Sequence, residues 1–284
     1  MHTIPSEINN KKYPAKVLLL GEYTILLDGQ ALAVPFPVKF VQWNQGQIDQ
    51  RLVHWLKYLE QQHEILDYLD LPKMAAEVTK DQYLWSNIPS GYGLGSSGAA
   101  TAAVFDRYAY PNKKKIPLTE LKTVLGIMES HFHGKSSGLD PLVSYLNEAV
   151  LVKSKTEIEI LNWHEIALNF ELLDSGMPRS TAKWVTLFHE KSKQAAWLTQ
   201  VQNKLLPQVN KAILELRSKD HTSLYQSLST ISTLQLELMP EFIPDGIRQQ
   251  WVEALTDPDC IIKLCGAGGG GYFLKFNLAA QLKQ

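Results

Sequence analysis

The chain has 284 residues, 45% of them hydrophobic, and 28 Lys plus Arg against 29 Asp plus Glu give a net charge of −1. That composition supports a sizeable core in one or two domains, argues against disorder and lacks the basic excess of a general nucleic-acid binder. Two cysteines exclude a disulfide scaffold and favour a reducing, cytoplasmic setting, no apolar run approaches the ~20 residues of a membrane helix, and Met1 to Lys12 is polar without the apolar core of a secretory leader.

In chain order, residues 15–20 read as a buried strand ending at Gly21. Ala31 to Val41 reads as extended, and Pro35 and Pro37 place it at an edge or a bend. Leu52, Leu56, Leu59, Leu66 and Leu69 recur at helical spacing, which predicts one amphipathic helix over 51–69. Tyr83 to Trp85 is a short strand. The Ala-rich stretch 98–109 is a helix, and Pro117 starts another that runs to about His133. Lys113-Lys114-Lys115, the basic run between them, reads as a solvated loop. Residues 149–161 alternate in polarity like a hairpin, and Phe170 to Leu173 is one more strand. From Lys183 to about Leu255 the chain reads as helical, with breaks near Pro207, Asp220 and Pro240. Two strands, Cys260 to Leu264 and Tyr272 to Phe276, close the chain around a glycine loop. The change of texture suggests two α+β domains with a boundary near 165–175.

Three loops carry chemistry. Pro89-Ser-Gly-Tyr-Gly-Leu-Gly-Ser-Ser97, then Gly98, opens directly into the Ala-rich helix. Glycines leave little side chain between backbone and ligand, and the helix start offers unpaired N–H groups and the positive end of a dipole, so the stretch fits a phosphate cradle. Read alone, it is as compatible with a flexible loop capped by serine. It is neither a Walker A loop nor the dinucleotide glycine pattern. The second loop runs from Glu129 to Asp140, where two carboxylates could share a metal and a proton-transfer role; alone, a capping loop with surface acids explains it better. His131 and His133 read as surface or core histidines rather than metal ligands. The third loop, Gly266-Ala-Gly-Gly-Gly-Gly271, permits close backbone approach. Cys260 and Cys265 do not form a zinc pattern and read as strand residues.

Taken together, Lys16-Val-Leu-Leu-Leu-Gly-Glu-Tyr23, the 89–98 loop and Gly266 to Gly271 resemble, in order, the three motifs of the GHMP kinase superfamily. The resemblance spans positions 16–271. It implies an α+β, two-domain GHMP kinase fold: an N-terminal, ATP-binding domain like ribosomal protein S5 domain 2 over 1–168, and a ferredoxin-like C-terminal domain over 169–284. Within the superfamily, Gly134 to Asp140 and Leu172 to Thr181 resemble mevalonate kinases. Tyr23 stands where those enzymes usually have His, and Gly21-Glu-Tyr23 is commoner in phosphomevalonate kinases. Ser136 replaces the usual Pro of the Asp loop, and Gly98 replaces an Ala. These departures bear on the substrate more than on the kinase chemistry.

The resemblance also implies roles. Pro89, Gly93, Leu94, Gly95, Ser96, Ser97 and Gly98 would bind ATP; Ser97 and Glu129 would hold Mg2+. Asp140 would accept or orient the acceptor hydroxyl, with Lys16 beside it to stabilise the developing alkoxide. Glu22, Tyr23, Arg179, Thr181 and Gly268 would face the acceptor, Arg179 being suited to an anionic group. The reaction expected is phosphoryl transfer from ATP to an alcohol, most directly mevalonate. The alternatives are phosphomevalonate or another GHMP substrate, a nucleotide-binding sensor on a kinase scaffold, and a structural protein. The expected partner is a small-molecule alcohol, with neither nucleic acid nor membrane, for a chain that is a monomer or a homodimer.

Overall fold

The structure, a computed structural model, describes residues 11–166 and 168–277. Most of the polar N-terminal stretch lies outside them. The elements are β1 (Lys12–Leu20), β2 (Ala31–Gln45), α1 (Gln50–Leu59), α2 (Leu71–Val78), β3 (Gln82–Ser86), α3 (Ser96–Tyr108), α4 (Leu118–His133), α5 (Leu139–Leu146), β4 (Ala149–Val152), β5 (Ile158–Leu161), β6 (Glu171–Asp174), α6 (Thr181–Ser192), α7 (Ala195–Gln200), α8 (Leu206–Arg217), α9 (His221–Leu238), α10 (Asp245–Ala254), β7 (Cys260–Leu264) and β8 (Tyr272–Asn277). One sheet runs β1-β2-β4-β5 with β3 also paired to β2; the other runs β6-β8-β7 and is antiparallel. No described helix is long and apolar enough to cross a membrane.

The chain divides into two compact units. The first holds the chain up to Lys16, Pro35–Pro89 and Leu94–Val150; the second holds Val17–Val34, Ser90–Gly93 and the chain from Leu151 onward.

In the first unit α3 is lined with Ala99, Ala102, Ala103, Val104 and Phe105, all buried, and it packs on α5. Small side chains permit that close approach. Polar groups carried inside find partners, as a dry interior requires: Trp43 Nε1 donates to Ala103 O at 3.1 Å, Trp55 Nε1 to Met128 O at 3.0 Å, and Ser144 Oγ to Pro14 O at 2.7 Å. Asp49 and Asp70 cap α1 and α2 by accepting N–H bonds from Arg51 and Lys73. In the second unit α9 packs on β7. Ser232 Oγ donates to Ile262 O at 2.6 Å and accepts from Trp251 Nε1 at 2.8 Å, so one hydroxyl links helix, strand and the buried indole.

Five expectations need correction. The single helix over 51–69 ends at Leu59, and a 3-10 turn follows at His63–Tyr68. The chain leaves the helix to pair with the end of α3: Asp70 N donates to Tyr108 O at 2.7 Å and Tyr110 N to Tyr68 O at 3.0 Å. That path buries Ile65 and Leu69 fully, which one straight helix need not do. β2 is not an edge strand, because it has β1, β3 and β4 as partners. β3 pairs only with Val41 to Gln45, beyond Pro35 and Pro37, so the prolines do not interrupt that ladder. Pro207 makes no break; a π turn at Val201–Leu205 feeds α8, where Pro207 occupies the first turn and no N–H is lost to it. The helical run pauses instead between α6 and α7. The lysine run 113–115 lies in a 3-10 turn, with Lys114 bound to Asp106, and Cys265 lies just after β7.

Gly138 sets the entry to α5. Its φ is +73°, and a Cβ there would overlap the Lys122 carbonyl oxygen of α4. Gly138→Ala should lower stability by about 1–3 kcal/mol from backbone strain, with overpacking adding to it. Urea unfolding checks this: the midpoint falls with an unchanged slope.

Candidate active site

The first unit holds nine of the sequence-predicted residues, among which Lys16, Ser97, Glu129 and Asp140 lie close together. Lys16 Nζ is 2.7 Å from Asp140 Oδ1, with Lys16 nearly buried and the Asp140 side chain 31% exposed. β1 delivers Lys16, whose backbone N–H donates to Leu94 O at 2.9 Å, so the strand is tied to the glycine loop. Leu94 is buried and anchors that loop; Pro89 is half-buried at its start. Gly95 is the N-terminal cap of α3 with φ +68°, and Ser96 and Ser97 are the first residues of the helix. No side chain caps α3, so its first N–H groups lack a side-chain acceptor. A Cβ on Gly98 would come within 2.8 Å of the Asp140 backbone carbon, and Gly95 also faces the Asp140 carboxylate. The start of α3 and the start of α5 are thus in contact through glycine, and any larger residue at 98 would push Asp140 away.

Glu129 sits on α4, four per cent exposed. Its Oε1 accepts from Ser97 Oγ at 2.8 Å, and its Oε2 accepts from Ser136 Oγ. Burial and the neighbouring Asp140 push its pKa up to about 7, against the pull of the two serines and Lys16. Two carboxylates therefore share one lysine. The oxygen donors of Glu129 and Ser97 and this excess negative charge fit a divalent hard cation such as Mg2+.

Two contributors escaped the sequence reading. His133 Nε2 lies 2.9 Å from Ser97 Oγ, although the residue reads as an ordinary surface histidine. Its spacing of four from Glu129 on a helix was the available sign. Ser136, noticed only as a departure from Pro, binds Glu129 and accepts the Gly138 N–H at 3.0 Å. His131 faces elsewhere, against Trp55 and Tyr58, and burial holds its pKa below the usual histidine range.

The second unit holds the remaining predicted residues. Glu22 is ion-paired with Lys263, and neither side chain has any exposure; Lys263 also donates to Leu264 O at 2.6 Å. Burial raises the Glu22 pKa, and Lys263 opposes it. Tyr23 is buried with φ +60°, a strained value for a bulky residue. It is held there by stacking on Phe188 at 4.6 Å and by donating from its hydroxyl to Ala267 O at 2.6 Å. Arg179 donates from Nη1 to Cys265 O at 3.0 Å, its guanidinium lies against Gly93 and Gly266, and its backbone N–H donates to Gly91 O at 2.8 Å. Gly268, φ +65°, lies against the Phe242 carbonyl, and Thr181 is the exposed first residue of α6.

Removing one partner of the buried Glu22–Lys263 pair strands a charge. Lys263→Met should destabilise by about 3–5 kcal/mol, and adding Glu22→Leu should restore much of that loss. Thermal unfolding of the two variants tests it; equal losses would place the cost in packing instead.

Residues 54–148 match the model of the GHMP kinases N terminal domain. No curated protein matches the sequence. Among solved structures, the L. major mevalonate kinase in complex with R-mevalonate is similar at 17% identity, a TM-score of 0.67, and coverage of 100% of this chain and 94% of that one. The Streptococcus pneumoniae phosphomevalonate kinase in complex with phosphomevalonate and AMPPNP is similar at 17% identity and TM-score 0.64, covering 96% and 94%. The Lactococcus lactis galactokinase complexed with galactose is similar at 14% identity and TM-score 0.64, covering 96% and 86%. The family-model match covers residues 54–148, and the likeness to these solved structures over nearly the whole chain shows that it has the GHMP kinase fold.

Proposed function

We propose that the chain transfers the γ-phosphoryl group of ATP to an alcohol, with mevalonate as the acceptor. The observation that carries the reading is the Lys16–Asp140 contact of 2.7 Å, placed directly against Gly95 and Gly98 at the start of α3. A pure nucleotide binder has no use for a paired acid and base beside its phosphate loop. The choice of mevalonate rests on Pro178-Arg-Ser-Thr181; Gly21-Glu-Tyr23 leaves phosphomevalonate as the next candidate. By the same reading, residues 1–168 form the ATP-binding domain and 169–284 the second domain. Arg179 and Thr181 keep their proposed acceptor role; Glu22, Tyr23 and Gly268 are buried, so by this reading they would act from behind the surface that meets the acceptor.

The chemistry follows from the residues. Pro89, Gly93, Leu94, Gly95, Ser96, Ser97 and Gly98 would receive the nucleotide, with the phosphates at the unpaired N–H groups of α3. Ser97 and Glu129 would hold Mg2+, which when bound neutralises charge on the transferring phosphate. Asp140 accepts the hydroxyl proton of the acceptor, and Lys16 stabilises the charge that develops on that oxygen. The new oxygen–phosphorus bond forms as the bond to the ADP oxygen breaks.

Asp140→Asn should lower the rate about 10²–10⁴-fold while ATP still raises the melting temperature. The assay is ADP release with mevalonate, phosphomevalonate, homoserine and galactose in parallel. Faster turnover of another alcohol replaces the acceptor and keeps the kinase. Nucleotide binding without turnover on any of them makes the chain a sensor.

A further inference from the structure

Glu129 and His133 are one helical turn apart on α4 and reach the same atom. Ser97 Oγ donates to Glu129 Oε1 at 2.8 Å and lies 2.9 Å from His133 Nε2. A serine hydroxyl has one hydrogen and two lone pairs. With Glu129 ionised, as a cation ligand must be, the hydrogen is committed to the carboxylate, so His133 is the donor in the second bond and occupies one lone pair. A single lone pair of Ser97 Oγ remains. His133 is exposed, on the last turn of its helix, and no core packing calls for an imidazole there.

We propose that His133 is a positioning residue: it locks the Ser97 hydroxyl so that its one remaining lone pair is presented to the divalent cation that accompanies the nucleotide. The inference rests on the kinase reading above and adds to it a residue that acts through Ser97. Without His133 the hydroxyl keeps its bond to Glu129 but loses the second constraint, and its free lone pair is no longer aimed.

The test measures binding of AMPPNP with Mg2+ and again with EDTA, by equilibrium fluorescence on the full chain. The ratio of the two dissociation constants is the gain that the metal confers. Loss of a residue that orients a metal ligand typically costs about 10–100-fold in metal affinity. His133→Ala should therefore cut the Mg2+-dependent gain by about tenfold or more. Affinity in EDTA and the melting temperature should stay unchanged, because the side chain is exposed. His133→Gln, whose amide can donate from a similar position, should restore most of the gain. The proposal is overturned if His133→Ala keeps the gain, if it weakens binding equally in EDTA, or if Gln is no better than Ala. A wild-type chain that binds no AMPPNP removes the kinase reading and this inference together. A wild-type gain that survives His133→Ala removes only this one.

Discussion

Charge balance around Glu129 is the constraint on which the first unit turns. Buried Glu129 and partly exposed Asp140 bring two carboxylates to one lysine, Lys16. Desolvation alone disfavours the ionised form of Glu129, and Asp140 disfavours it further. A fold would not retain such a pair for stability, since two apolar residues of similar size would pack there at less cost. The arrangement makes sense if a positive group completes it. The oxygen-rich surroundings, with a serine hydroxyl on each oxygen of Glu129, would suit a small hard cation better than a softer metal.

That electrostatic arrangement depends on backbone proximity, and the proximity depends on missing side chains. Gly98 lets α3 touch the chain at Asp140, and Gly138 lets the Asp loop touch α4. The Lys16 N–H to Leu94 O bond then fixes the strand that carries the lysine relative to the loop. The Lys16–Asp140 pair is thus placed by main-chain contacts on three elements. A backbone placed this closely holds the two groups in register before any ligand arrives, which is what a preorganised site requires.

The order of the elements and the glycine loops were legible because both are local properties. Ala99 to Phe105 announce a helix by propensity, and Pro117 announces the next. The end of α1 was not legible: Leu66 and Leu69 keep the helical spacing, and only the backbone pairing of 68–70 with 108–110 decides against it. Pro207 misled for the opposite reason, since a proline marks a break only when its missing N–H is needed, and the π turn before it frees that position. In the site, acids, lysine and serines could be picked out by type. His133 could not, because its significance lies in sharing one hydroxyl with Glu129, a relation across two helices.

Ser136 shows how a departure from a family pattern can be part of the same logic. A proline there would lack both the N–H that donates to Ser130 Oγ at 3.1 Å and the hydroxyl that donates to Glu129. With serine, the loop between α4 and α5 is hydrogen-bonded to the end of α4 at both its backbone and its side chain. Each Glu129 oxygen then carries one hydrogen bond from a serine, and each keeps a lone pair for another partner. The carboxylate is held from both sides without being saturated. A proline loop would be stiff by virtue of its ring, whereas this one is stiff by virtue of its bonds to Glu129 itself. Loop order and carboxylate position are therefore coupled here, and a cation that draws on Glu129 would act on the loop that carries Asp140 as well.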